Sequence, residues 1–231
     1  MEPGEQFINA QIRYAGVLAK QGKLAEARKH LQAGEDTTPQ QRLQYTQAEA
    51  QLLRDASAYK EAFELLGQAL QRMPDYPDLL YDYAMAAEKV DRIDLLETNL
   101  RKLIQIRPDH AHAYNALGYT FADRNQRLPE AHQLIEKALQ LAPDDAFIMD
   151  SMGWVLYRLG RNKEAIEYLR GAFAIRPDAE IAAHLGEVLW IDGQQEEARK
   201  VWSGALKEHG QNVELQNTVK HFAPIILPAA K

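Results

Sequence analysis

The residues best suited to chemistry are few, and their spacing limits what they can do. The stretch "HAHAY" places His110 and His112 two residues apart, with His132 further on. Two imidazoles at a helix start can hold an adventitious metal ion, but histidines of a solvent-facing helix need no ligand. Asp144 and Asp145 precede a helical stretch, where carboxylates suit the positive end of the helix dipole, so they read as capping residues. Ser151 lies inside a helical segment beside Met152 and reads as a small filler. Glu196, Glu197, Arg199 and Lys200 form a solvated helix face. Catalysis needs a nucleophile with a base, paired carboxylates or a metal set. No GxSxG, HExxH or phosphate-cradling glycine loop occurs, and cysteine is absent, which removes disulfides and thiolate chemistry. The expectation is a protein with no catalytic residues, no metal site and no cofactor.

Bulk properties narrow the class further. The 231 residues are 46% hydrophobic and 26% charged, the balance of an ordinary globular chain. The 27 basic and 33 acidic residues give a formal charge of −6 and are interspersed, so the basic footprint of a nucleic-acid binder is missing. No apolar run approaches the ~18 residues of a membrane span. The opening "MEPGEQFINA" lacks the basic and apolar regions of a signal peptide and suits a fragment of a longer chain.

The elements that must position any site are set by a repeat. Pro39, Pro74, Pro108, Pro143 and Pro177 are spaced by 35, 34, 35 and 34 residues. Four of them sit in kindred phrases, "QRMPDY", "QIRPDH", "QLAPDD" and "AIRPDA". Twelve residues before the five prolines stand Ala27, Ala62, Leu96, Ala131 and Ala165. Apolar residues recur at three- and four-residue steps, the helical signature, so each unit reads as two helices and a turn. Gly22, Gly160 and Gly193 fall where the first helix of a pair must stop, with Asn125 at the corresponding place in the fourth unit.

This pattern resembles the tetratricopeptide repeat (TPR). The unit 146–178 carries Met152-Gly153, Leu156, Ala165, Leu169, Ala172 and Pro177 in the family's positions. The unit 111–145 carries Tyr114, Leu117-Gly118, Phe121, Ala131, Ala138 and Pro143, with one extra residue near Leu128-Pro129. The resemblance implies an all-α solenoid of antiparallel helix pairs in a right-handed superhelix. Its units would be 8–42, 43–76, 77–110, 111–145, 146–178 and 179–212, with a capping helix at 213–222 and a tail at 223–231. The phrases "YNALGYTFADR", "DSMGWVLYRLGR" and "AEIAAHLGEVLW" are similar to the C-terminal half of one branch of the family. That branch comprises bacterial outer-membrane lipoproteins that act as adaptors for a periplasmic carboxyl-terminal processing protease and bring it cell-wall hydrolases. The branch would place the full-length protein in the periplasm, anchored to the outer membrane, with a cytoplasmic location left open.

Each first helix has two faces at about 100° per residue. Met149, Met152, Gly153 and Leu156 project together onto the face that packs within a pair, where Gly153 allows close approach; Gly118 and Gly186 repeat the device. Phe147, Asp150, Trp154 and Tyr157 point roughly 140° away. The resemblance makes that second face the concave wall. Its candidate partner-binding residues are Arg54, Tyr81, Met85, Asn115, Tyr119, Asp150, Trp154, Tyr157, Glu187 and Trp190. Aromatics with a polar tip are frequent anchors of a partner, and equally they pack one repeat on the next. The first reading gives a non-catalytic adaptor for protein segments. The second gives a structural or self-assembly module. On the first reading Trp154→Ala spares the fold and weakens binding. The family's carboxylate clamp needs Asn on this wall, but Val17, Gln51, Met85, Tyr119, Trp154 and Glu187 stand at its ninth positions, so chaperone-tail binding is not expected. "PIILP" in the tail is an extended apolar segment of the kind such grooves accept, a route to self-association.

Overall fold

The structure is a computed structural model that describes residues 5–33 and 38–223. The described residues contain thirteen helices and no strand: α1 (Glu5–Lys20), α2 (Leu24–Gln32), α3 (Pro39–Asp55), α4 (Tyr59–Arg72), α5 (Pro77–Lys89), α6 (Ile93–Ile106), α7 (Ala111–Asp123), α8 (Leu128–Leu141), α9 (Ala146–Arg158), α10 (Asn162–Ile175), α11 (Ala179–Ile191), α12 (Gln195–His209) and α13 (Val213–Phe222). They form the helix pairs of an all-α solenoid, grouped into two compact units, one ending at Pro108 and one starting at Asp109. None of the described helices is long and apolar enough to cross a membrane. The tail expected to dock in a groove falls, from residue 224 on, outside the described residues.

The turn inside each pair is dictated locally. Gly22, Gly160 and Gly193 have φ of 79°, 79° and 86°, the left-handed conformation that ends a helix at least cost in glycine. Asn125 does the same at 54°, and Ser57 and Asp91, both at 58°, complete the set. In all six turns the next residue's N–H reaches back to a first-helix carbonyl: Lys23 to Leu18, Ala58 to Leu53, Arg92 to Ala87, Gln126 to Phe121, Arg161 to Leu156 and Gln194 to Leu189, at 2.8–3.0 Å. One device therefore sets the same reversal six times, with or without glycine. The extra residue of the fourth unit is taken up by Arg127, also left-handed at 49°, whose guanidinium lies 4.0 Å from the Phe121 ring centroid.

Pro39 departs from the repeat's rule. It does not close a unit ahead of the next helix, as Pro74, Pro108, Pro143 and Pro177 do, but stands at the first position of α3. The reason is a capping box. Thr38 Oγ1 accepts from the Gln41 N–H at 3.2 Å, and Gln41 Oε1 accepts from the Thr38 N–H at 3.0 Å. Together they hold the helix start at Pro39, so the second unit's first helix begins ahead of residue 43.

Close approach within a pair requires the glycines. A Cβ on Gly153 would lie 2.5 Å from Leu169 Cγ and 3.1 Å from the Ala165 carbonyl oxygen. One on Gly118 would lie 2.7 Å from Ile135 Cγ1 and 2.9 Å from the Ala131 oxygen. One on Gly186 would run into the indole of Trp202, itself fully buried. Backbone-to-side-chain contact of this kind is what offsets glycine's helix penalty of about 1 kcal/mol. At the C-terminal end α13 packs on α11 and α12, burying Leu215 and Val219, with Phe222 stacked on Trp202 at 6.1 Å.

Candidate functional site

Within the unit that starts at Asp109, α9 packs on both α7 and α11, so three first helices lie side by side. The residues facing one another across them form a connected cluster. Its centre is His184 on α11, which is buried; its Nδ1 lies 2.9 and 3.1 Å from the two carboxylate oxygens of Asp150 on α9. The imidazole stacks on Trp154, ring centroids 4.2 Å apart and planes 21° apart. Trp154 in turn meets Tyr157 at 5.3 Å. Tyr119 on α7 donates its hydroxyl to Glu180 Oε1 on α11 at 3.2 Å, and Tyr157 donates to Glu187 Oε1 at 3.1 Å.

Burial and charge compete in this cluster. Burial opposes an imidazolium at His184, but Asp150, Glu180 and Glu214 together outweigh it and push its pKa up to about 9. The ring therefore carries its second proton at neutral pH, and its stacking on Trp154 becomes a cation–π contact. Burial also raises the Glu180 and Glu187 carboxyls above the usual range, against the nearby His184 charge. Burial, with Glu187 next in effect, pushes the Tyr157 phenol up to about 12, and the Tyr119 phenol is raised further by burial and the Glu180 charge.

The structure brings some of the expected wall residues together and separates others. Tyr119, Asp150, Trp154, Tyr157 and Glu187 join the cluster, and half-buried Asn115 shares α7 with Tyr119. Two of these are buried under a neighbouring first helix rather than lining an open wall. Trp154 is 6% exposed and Asp150 4% exposed, because α11 covers both and supplies His184 as their common contact. The expectation that Trp154→Ala spares the fold is corrected accordingly. Trp190 turns to α12, with its ring 5.8 Å from Trp202 and under Arg199 at 5.0 Å. Arg54, Tyr81 and Met85 belong to the other unit. There Arg54 donates to Gln51 at 2.6 Å, and Tyr81 and Met85 are half-buried.

The residue that sequence reasoning missed is His184. The available signal was an acid and a histidine 34 residues apart, one repeat period, which puts them on neighbouring first helices. Among the other residues weighed from sequence, His110 caps α7 by accepting from the Ala113 N–H at 3.1 Å. Asp145 caps α9 by accepting from Phe147 and Ile148. Ser151 is buried and donates to the Phe147 carbonyl at 2.9 Å.

A solenoid of helix pairs with this face defines a class, and comparison with known proteins gives the class its name. Tetratricopeptide repeat models match residues 53–95 and, with a second model, 93–146 and 151–213. The chain belongs to the tetratricopeptide repeat family, whose members generally mediate protein–protein interactions on a typically non-catalytic fold. It is 43% identical over 185 residues to the TPR repeat-containing protein PA4667 of Pseudomonas aeruginosa, covering 80% of this chain and 31% of that protein. It is 29% identical over 181 residues to the cellulose synthase operon protein C of Pseudomonas fluorescens, covering 73% of this chain and 14% of that protein. The chain thus spans a third or less of these relatives' length. Among solved structures, TTC0263 of Thermus thermophilus superposes with a TM-score of 0.68 at 23% identity, over 78% of this chain and 96% of that one. YrrB, a TPR protein with an unusual peptide-binding site, superposes with a TM-score of 0.55 at 21% identity, over 75% and 89%. At these identities the two structures attest the fold.

Proposed function

We propose that this chain is a non-catalytic adaptor that holds an extended segment of a partner protein along the first-helix face of α7, α9 and α11. The observation that carries this reading is a pair of buried polar atoms on that face with no hydrogen-bond partner, Asn115 Oδ1 and Trp154 Nε1. One accepts and the other donates, and they sit on adjacent helices. A peptide backbone offers the complementary N–H and C=O, and each unmet buried polar group costs about 1–3 kcal/mol. Reaching both calls for the side-chain rearrangement common at interfaces. Tyr119 and Tyr157, half-buried and amphipathic, flank them as anchors. Glu180 and Glu187 add desolvated carboxylates that favour a segment rich in N–H donors or basic side chains. The peptide-binding site of YrrB, on a like fold, lends support to a peptide as the occupant.

Beyond this, we infer that the full-length protein is a periplasmic lipoprotein of the outer membrane that delivers cell-wall hydrolases to a carboxyl-terminal processing protease. The lipoprotein-like phrases of the sequence support that placement. The test is direct binding of a purified cell-wall hydrolase and of the protease to this chain. Asn115→Ala and Tyr157→Ala should each weaken hydrolase binding tenfold or more, about 1.4 kcal/mol, with the helical circular dichroism retained. Unchanged affinity in both folded variants would remove the face from the reading. Failure of the unaltered chain to bind hydrolase or protease would remove the adaptor assignment.

A further inference from the structure

The C-terminal end of the cluster carries more carboxylates than its one buried cation requires. Glu180 and His184 are four residues apart on α11 and so share a face. Glu214, in the first turn of α13, comes to the same place from another helix. One carboxylate oxygen from each glutamate and a ring nitrogen of His184 lie within 4.8 Å of one another. We propose that Glu180, His184 and Glu214 form a binding site for a divalent metal ion of the zinc class, tying the last helix to α11.

Three features beyond proximity support the site. First, Asp150 occupies Nδ1 of His184, so Nε2 is the nitrogen left to ligate, on a side chain that is 5% exposed. A carboxylate on the far nitrogen is the usual outer partner of a metal-bound histidine: it fixes the ring and raises its basicity. Second, Tyr119 holds Glu180 Oε1, which orients that carboxylate in the same way. Third, one imidazole with two carboxylates is a ligand set that zinc accepts, leaving a fourth tetrahedral position for water. Tetrahedral metal–ligand bonds of about 2.0–2.2 Å place ligand atoms ~3.3–3.6 Å apart, so closure needs a movement on the order of 1 Å. The site therefore closes by a small movement, and Glu214, exposed on α13, is free to make it. The ion takes the place of the Nε2 proton, which is released on binding. The site shares Glu180 with the adaptor reading and adds the N-terminal turn of α13, which that reading leaves idle, so ion binding can be measured with no partner present.

The experiment is a titration of chelator-treated chain with Zn²⁺ by calorimetry, repeated with Co²⁺ followed by its visible absorption. The expected result is one equivalent bound, a raised melting temperature and cobalt bands of tetrahedral intensity. Glu214→Gln should weaken Zn²⁺ binding by at least roughly tenfold, and Asp150→Asn by roughly 10–100-fold, as outer-partner substitutions do elsewhere. His184→Gln should abolish binding. Should that variant fail to fold, Glu214→Gln, made on an exposed side chain, decides the matter alone. The double variant His112→Gln, His132→Gln, which strips histidines remote from this cluster, should bind as before. The proposal is overturned if no Zn²⁺ binds, or if Glu214→Gln binds as tightly as the unaltered chain.

Discussion

Among the described residues, each unit buries one carboxylate between repeats, and the two are answered differently. In the unit ending at Pro108, Glu49 on α3 is 3% exposed and accepts from Arg28 Nε at 2.9 Å and Gln32 Nε2 at 2.7 Å, both on α2. Arg28 also pairs with Glu61. On α3 and α5 the first-helix face pairs internally. Gln47 donates to Asp82 at 2.8 Å, Gln51 to Asp55 at 2.6 Å, and Arg54 to Gln51. In the unit starting at Asp109, Asp150 is answered by a histidine instead of an arginine, and Glu180, Glu187 and Glu214 surround that one imidazole. The same repeat backbone thus carries a self-satisfied polar face in one unit and a titratable, acid-rich one in the other. Arginine keeps its charge at any working pH, whereas histidine can exchange its proton for an ion.

The sharpest way to break this comparison is Trp154→Ala. If Trp154 is the floor on which His184 rests, its loss should destabilise the chain by about 3–5 kcal/mol, the cost of emptying a large core site. Met85→Ala, at the equivalent and half-buried place in the other unit, should cost less. Equal denaturation midpoints for the two variants would return Trp154 to the surface.

A smaller effect separates the glycines. Gly153→Leu should cost roughly 1–3 kcal/mol by overpacking, since both a side chain and the Ala165 backbone oxygen stand in the way. Gly67→Ala, in the other unit, would place its Cβ 3.1 Å from the Tyr83 ring edge, and the ring can shift. It should be close to neutral or gain up to about 1 kcal/mol of helix propensity. Thermal melts of the two variants side by side give the ranking, and a loss at Gly67 as large as at Gly153 would mean that Tyr83 cannot move.

The last difference between the two regions is the dependence on pH. His184 binds its proton more tightly folded than unfolded, so the stability it contributes is full below its ordinary value of 6.5 and is lost as pH rises through about 9. In the presence of chelator, the amides of α9 and α11 should lose exchange protection over that window, once corrected for the intrinsic rate. The amides of α2 and α3, held by Arg28 and Glu49, should not. Parallel loss in both regions would show that the histidine is not what distinguishes them.

The sequence by itself determined the period, the helix pairs and their turns, because those rest on local backbone chemistry. A glycine or asparagine that accepts φ > 0, a proline ahead of a helix and an apolar face at three- and four-residue steps are visible one unit at a time. The left-handed Ser57 and Asp91 were hidden only because their residue types do not announce that conformation. Pro39 misled by one turn because the capping box of Thr38 and Gln41 outweighed the repeat's habit. The close-packing glycines were legible too, since a helical wheel reports the face a helix turns to its own partner. Only the tertiary structure decided the fate of the second face. Trp154 and Asp150 are buried not by their own pair but by α11, whose distance and rotation no wheel of α9 contains. His184 acquires its raised pKa, and with Glu180 and Glu214 its capacity for an ion, from three helices that meet only after the repeats have stacked. The physical reason is that backbone reversals are set by neighbours in the chain, whereas burial and field strength are sums over neighbours in space.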